Sequence, residues 1–341
     1  MSLNVPHKGR IVCFGELLWR LFPPQGEMLL QSSSLDVRLG GAEANVAVAL
    51  SRFGHDAAMV STLPDNALGA AARDTLRMHG VDTRALAFQP GRMGLYFLTP
   101  GAVLRPSEIV YDRAGSAFAS ADPAQYNWPA LLEGAAWLHV SGVSPAVSER
   151  SAQAVLDAMR TARRLNVPVA FDGNYRASLW EQRGSSGAEV LRELMAHADL
   201  AFADQRDVAL VLNQPALSAP LQRAEAAAAA FAAFPQLKRM AATVRTQHSV
   251  DEHELAGWMQ TRETFAQSRS YRLNAIVDRI GTGDAFAAGV LHGLLRGWSD
   301  QETIEFGVAA GAMKHSIAGD FNLAGEAQVQ ALCGGGLDVR R

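Results

Sequence analysis

Short apolar runs, each too brief for a helix, recur along this chain with helix-length segments between them. That alternation constrains the fold more than any other feature. Residues 11–15 (Ile-Val-Cys-Phe-Gly) are the first such run, and an apolar stretch ending in glycine reads as a buried strand. The rhythm continues with predicted strands at 57–62, 136–141, 168–172 and 199–202 and predicted helices at 66–79, 148–165 and 188–196. Repeated βα units of this kind predict an α/β fold, a mostly parallel sheet covered by helices on both faces.

After Gly40-Gly41, the apolar residues Ala42, Val46, Ala49, Leu50 and Phe53 fall at helical spacing, and Gly54 stands where a C-terminal cap is expected. Segments 17–39 and 92–113 break the rhythm. Both look extended, rich in Leu, Tyr, Phe and Val and interrupted by Pro23-Pro24 and Pro100-Gly101, and together they are expected to form a small β-lid inserted in the α/β body. The alanine-rich stretch 224–233 is expected to be a surface helix, with Phe231 and Phe234 supplying its packing. With no internal repeat and no long linker, residues 11–330 are expected to form one domain.

Composition narrows the function classes. At 48% hydrophobic and 19% charged residues, 341 residues can bury a large core, which excludes disorder. The 31 Lys+Arg and 34 Asp+Glu leave a net charge of -3 with no dense basic run, so nucleic acid is not expected as the main partner. Cys13 and Cys333 lie at opposite ends, away from any His-rich cluster, as expected of free thiols in a reducing compartment. No stretch approaches the roughly 18 apolar residues of a membrane span. The opening Met1 to Arg10 is polar rather than signal-like, so a cytoplasmic protein is expected.

The strongest local signal is Asp278-Arg279-Ile280-Gly281-Thr282-Gly283-Asp284-Ala285-Phe286, with Phe286, Val290 and Leu294 continuing at helical spacing. A turn of small residues thus opens an amphipathic helix. The free N–H groups of Gly281, Thr282 and Gly283, together with the helix dipole, favour a negative group such as a transferring phosphoryl. Asp284, in the first turn, is placed to take a proton from an attacking hydroxyl. Taken alone, Gly-Thr-Gly-Asp fits a plain helix cap equally well.

Gly40-Gly41-Ala42-Glu43-Ala44-Asn45-Val46-Ala47 resembles the N-terminal motif of the ribokinase (PfkB) family, and Asp278 to Asp284 resembles its C-terminal motif. The two occur in the family's order, and the resemblance extends over about 11–330. It implies a ribokinase-like, Rossmann-type fold with a β-lid over the sugar site, ATP as phosphoryl donor and Mg²⁺ as its partner. Within the family the chain looks most like the 2-keto-3-deoxygluconate kinases. The residues are Gly94-Leu95-Tyr96, the segment Tyr111 to Ala117, the segment Asp172 to Trp180, and Gly319-Asp320-Phe321-Asn322.

By that resemblance Asp284 is the base and residues 281–283 the anion hole, while Gly40, Gly41 and Asn45 hold sugar hydroxyls. Tyr96 and Tyr111 line the sugar site. Arg113 and Arg176 are expected to converge on a substrate carboxylate, which a neutral hexose lacks. Asp204-Gln205-Arg206-Asp207 stands where the family has an Asn-x-x-Glu segment, so Asp207 is a candidate for holding the metal through water, a solvated loop being the other reading. Residues 243–257 depart from the family's Gly-rich nucleotide loop. There Arg245 is matched to phosphate, and His248 and His253 are expected to be exposed rather than ligating. Arg279 replaces a Thr associated with a monovalent-cation site. His315 is a candidate for the adenine pocket, with a packed or surface His as the alternative. Leu21, Phe22, Leu29 and Leu30 are expected to be exposed on the lid and to pair two subunits into a homodimer.

The reading is therefore a kinase for 2-keto-3-deoxygluconate. A fructokinase-like enzyme is the nearest alternative, in which the two arginines would not converge. A sugar-binding homologue without turnover is the alternative from another class, and it would need no base at Asp284.

Overall fold

A computed structural model describes residues 9–24 and 26–336; the polar opening segment 1–8 lies outside the described residues. In chain order the strands are β1 (Ile11–Phe14), β2 (Leu18–Phe22), β3 (Asp36–Gly40), β4 (Ala57–Pro64), β5 (Leu86–Gln89), β6 (Gly94–Thr99), β7 (Glu108–Asp112), β8 (Trp137–Ser141), β9 (Val169–Asp172), β10 (Leu200–Phe202), β11 (Arg239–Gln247), β12 (His253–Gln260), β13 (Phe265–Gln267) and β14 (Tyr271–Leu273). The large sheet runs β13-β12-β11-β10-β9-β8-β1-β4-β5 and is parallel from β11 to β5, with β14 pairing β12. Side chains alternate across it as strand geometry requires. On β1, Ile11 and Cys13 enter one core layer and Val12 and Phe14 the other, so the central strand is apolar throughout because helices cover both faces.

Most predicted strands and helices lie within two residues of the observed ones. The Ala42–Arg52 helix is followed by Phe53 as cap and by Gly54 at a φ of 84°, the left-handed conformation that ends a helix without a side-chain clash. The Arg223–Ala233 helix packs rather than merely coating the surface, since Ala226, Ala227, Ala230 and Phe231 are buried in the second layer.

Residues 243–257 form a hairpin rather than a loop, with β11 and β12 antiparallel from Met240↔Gln260 to Gln247↔His253. His253 is buried, contrary to expectation, because it starts β12 on the face that packs against His315; His248, in the turn, is exposed as expected.

Segments 17–39 and 92–113 come together in a separate four-stranded sheet, β3-β2-β6-β7, in which β2 and β6 run parallel. Its inward face buries Leu18, Tyr96 and Leu98, with Phe22 packed against them beneath the Arg20 guanidinium at 4.3 Å. This packing leaves Leu21, Phe22 and Leu29 half-buried, so of the four expected exposed residues only Leu30 is open to solvent. Met28, Val37, Val103, Leu104, Ile109 and Val110 are further exposed apolar residues of these segments that the sequence did not single out.

Both cysteines are free thiols, Cys13 in the core and Cys333 half-buried. Among the described residues no helix is long and apolar enough to cross a membrane.

Candidate active site

Parallel strands place all their C-terminal ends, and the N-termini of the helices that follow, along one edge of the sheet. A cleft of about 790 Å³ lies there. Its floor is built from two helix starts distant in sequence, Ala42–Arg52 and Thr282–Arg296, whose caps are Gly41 and Gly281. Gly281 has a φ of 78°, and a Cβ there would collide with the carbonyl oxygen of Asp320, so only glycine fits. The N–H groups of Gly281, Thr282 and Gly283 have no hydrogen-bond partner among the described residues, and the space in front of Gly283 is open. The first turn of this helix is therefore a ready anion site.

Asp284 lies half-buried in the same turn. Its Oδ2 accepts a hydrogen bond from Asn45 Nδ2 at 2.6 Å, which joins the two helix starts. Desolvation pushes its pKa up to about 7; the Asn45 bond opposes this and the nearby Glu43 adds to it. A carboxyl poised near neutrality suits a general base. Glu43 lies beneath, its Oε1 taking bonds from Ser141 Oγ and Ser144 Oγ, both at 2.8 Å, and burial pushes its pKa up.

Two further carboxylates face the cleft. Asp172, at the end of β9, is pushed up to about 8 by burial and then by Asp284; Asp207 is pushed up to about 6 by burial and then by Asp204. Asp207 is not in a solvated loop. It is the third residue of the Gln205–Leu212 helix, and its Oδ2 accepts from Asp204 N at 2.9 Å in a capping box. Arg206, Arg245 and Arg279 also line the cleft. Arg206 is paired with Asp204 at 2.6 Å, while the Arg279 guanidinium is held down by burial and by Arg245.

Of the residues predicted from sequence, the cleft brings together Gly41, Asn45, Tyr96, Tyr111, Arg113, Arg176, Asp207, Arg245 and the 281–284 turn. Gly40 and His315 are not among its lining residues. Gly40 is buried at the end of β3, where its missing side chain leaves room for the Asp320 carboxylate. His315 is buried with Nδ1 2.7 Å from the carbonyl of Gly311, and it packs against His253 behind the cleft wall.

The two expected carboxylate clamps differ. Arg176 is exposed and bonds only the carbonyl of Tyr175. Arg113 is buried, and its Nε and Nη2 both meet Glu16 Oε2, at 2.7 and 2.6 Å, leaving Nη1 without a hydrogen-bond partner among the described residues. Ser116 Oγ completes this pair at Glu16 Oε1.

Sequence reasoning gave no role to Asp172, Glu16, Arg20 or Lys314. Lys314, with no exposed surface, lies near Asp278 and Asp320 and donates to the carbonyl of Ile317 at 2.9 Å. Asp172 and Asp320 stood within segments that carried the resemblance, which was the one signal pointing to them.

Asn45 favours the charged form of Asp284, so Asn45→Ala should raise its midpoint above 7 by about one unit or more, a hydrogen bond to a charged group contributing roughly 1.5–3 kcal/mol. Carboxyl NMR of the labelled protein, with the Asp284 signal assigned by its loss in Asp284→Asn, measures this. A midpoint that stays put or falls would show that the bond does not hold the carboxylate.

Residues 8–320 match the family model described as pfkB family carbohydrate kinase. A 2-dehydro-3-deoxygalactonokinase of Haloferax volcanii is 32% identical, the alignment covering 96% of this chain and 97% of that protein. The crystal structure of a 2-dehydro-3-deoxygluconokinase from Thermotoga maritima superposes with a TM-score of 0.90 at 36% identity, over 96% of this chain and 99% of the other. A PfkB family carbohydrate kinase from Listeria grayi gives 0.89 at 36% identity, over 95% and 99%. The chain belongs to the pfkB family of carbohydrate kinases and is a phosphotransferase with an alcohol group as acceptor.

Proposed function

We propose that this enzyme transfers the γ-phosphoryl group of ATP to the 6-hydroxyl of 2-keto-3-deoxygluconate. The observation that carries the chemistry is a carboxyl near pKa 7 beside three unpaired N–H groups at one helix start. The acceptor hydroxyl gives its proton to Asp284 as its oxygen bonds to the γ-phosphorus and the bond to the β-phosphate oxygen breaks, releasing ADP. The N–H groups of 281–283 receive the charge on the phosphoryl oxygens. Asn45 Oδ1 is buried without a partner and is free to accept a sugar hydroxyl, while Nδ2 holds the base. Arg245 and Arg279, which line the same cleft, suit the phosphates.

Asp207, with Oδ1 free of the cap, and Asp172 fit a Mg²⁺ ion held through water, which would relieve the crowding of their charges. Among the described residues no three acidic, His or Cys side chains are close enough to grip a metal alone, which agrees with the preference of Mg²⁺ for water and phosphate ligands. Bound there, the ion would neutralise charge on the phosphates.

The sugar-acid reading rests on the names of the relatives and on Arg113 and Arg176 lining one cleft. Arg113 already serves Glu16, so Arg176 carries the cleaner test. Asp284→Asn should stay folded and bind sugar while turnover falls by orders of magnitude; near-normal kcat would remove Asp284 from the base role. Arg176→Ala should raise KM for ketodeoxygluconate by about tenfold or more and leave weak fructose turnover unchanged. An equal loss on both sugars would overturn the acidic-acceptor assignment and leave the kinase standing. Preference for the galactonate epimer would change the sugar but not the class.

We propose also that two copies pair through their small sheets, covering Leu30, Val37, Leu104, Ile109 and Val110. Light scattering at micromolar concentration should give a dimer, and a strictly monomeric mass would dismiss this.

A further inference from the structure

The small sheet and the anion site are joined by a buried ionic cluster in which Arg20 and Asp278 have no part in the chemistry above, while its other members, Asp320 and Tyr96, line the cleft. Arg20 stands on β2 and is 3% exposed. Its Nη1 donates to Asp278 Oδ2 at 2.7 Å and to Asp320 Oδ1 at 3.1 Å. These carboxylates hold the backbone on either side of the anion site. Asp278 receives Ile280 N at 3.0 Å on Oδ1 and Gly319 N at 2.9 Å on Oδ2, which ties the segment entering the 281–284 turn to the Gly319-Asp320 loop. The carbonyl of Asp320 fills the place a Gly281 side chain would take, so the position of residue 320 decides where the helix cap can sit. From the small sheet, Tyr96 on β6 donates to Asp320 Oδ2 at 2.5 Å.

Two buried carboxylates close together need countercharge. Among the described residues only Arg20 supplies it by direct contact, since Lys314 forms no ion pair with either. Arg20 also points away from any surface role: it is buried, and its Nε has no partner.

We propose that Arg20 is a positioning residue for phosphoryl transfer: from the small sheet it holds Asp278 and Asp320 together, and thereby sets the Gly281–Gly283 N–H groups in line. The proposal rests on the kinase reading above and adds to it that the sheet over the sugar is part of the anion site's scaffold. Because the contact reaches the N–H groups through Asp278 and Asp320 and the sugar side only through Tyr96 and Asp320, its loss should appear chiefly in kcat, with a smaller effect on sugar affinity.

The test is Arg20→Ala and Arg20→Lys in the full chain, compared with wild type for kcat and KM, with far-UV circular dichroism to report folding. For Arg20→Ala, kcat should fall on the order of a hundredfold, the usual scale for misplacing a reacting group by about 1 Å, with sugar KM little changed. Arg20→Lys should retain more activity, because a single nitrogen, Nη1, meets both carboxylates and an ammonium can supply the same charge and donors. Free guanidinium at a non-denaturing concentration should restore part of the lost kcat to Arg20→Ala, and sodium chloride at equal ionic strength should not. If Arg20→Ala does not fold, the bulkier neutral variant Arg20→Gln decides: a kcat reduced more than sugar KM is raised supports the proposal and a wild-type kcat overturns it. A folded Arg20→Ala with wild-type kcat, a loss confined to sugar KM, or equal response to guanidinium and sodium would each overturn it. Failure of the kinase reading would look different, as an absence of ATP consumption in the wild-type chain.

Discussion

The hydrogen bond from Asn45 to Asp284 links two helix starts separated by 239 residues, and the cleft's chemistry depends on it. A carboxylate at the mouth of a helix, partly out of water and near other acids, would ordinarily give up its charge. The Asn45 amide keeps the charged form accessible, and the helix dipole adds to this. The two motifs thus act as one device: one helix holds the carboxyl proposed as the base, and the other sets how readily that carboxyl is charged.

Around this contact the cleft gathers acids and arginines, Asp172, Asp207 and Asp284 with Arg206, Arg245 and Arg279. A polyphosphate entering among them would meet positive charge in the same cleft as the N–H groups of residues 281–283. The parallel sheet makes this gathering straightforward, because every strand delivers its last residue to the same edge.

What was legible in the sequence was local. The alternation of short apolar runs with helix-length segments predicted the sheet, and four consecutive residues, Gly281 to Asp284, carried the anion site and base in one turn. What was not legible depends on partners remote in the chain. Gly40 reads as a substrate contact until Asp320 is seen to occupy the space beside it. His253 reads as exposed because its burial comes from antiparallel pairing with β11 and packing on His315, neither of which leaves a periodic trace. Arg113 reads as a free cation because Glu16, its partner across 97 residues, belongs to no recognisable pattern.

That last pair has an evolutionary side. Arg113 and Glu16 are 5% and 1% exposed, and each satisfies the other at the wall of the sugar cleft. Removing one member of such a pair leaves a stranded charge and costs roughly 3–5 kcal/mol, a large share of a domain's net stability, whereas replacing both together with apolar residues of similar volume is often neutral. Change at this wall is therefore hindered one substitution at a time, although the endpoint need not be unstable. The pair works as a ratchet: once both residues are present, neither is readily replaced until two changes arrive together.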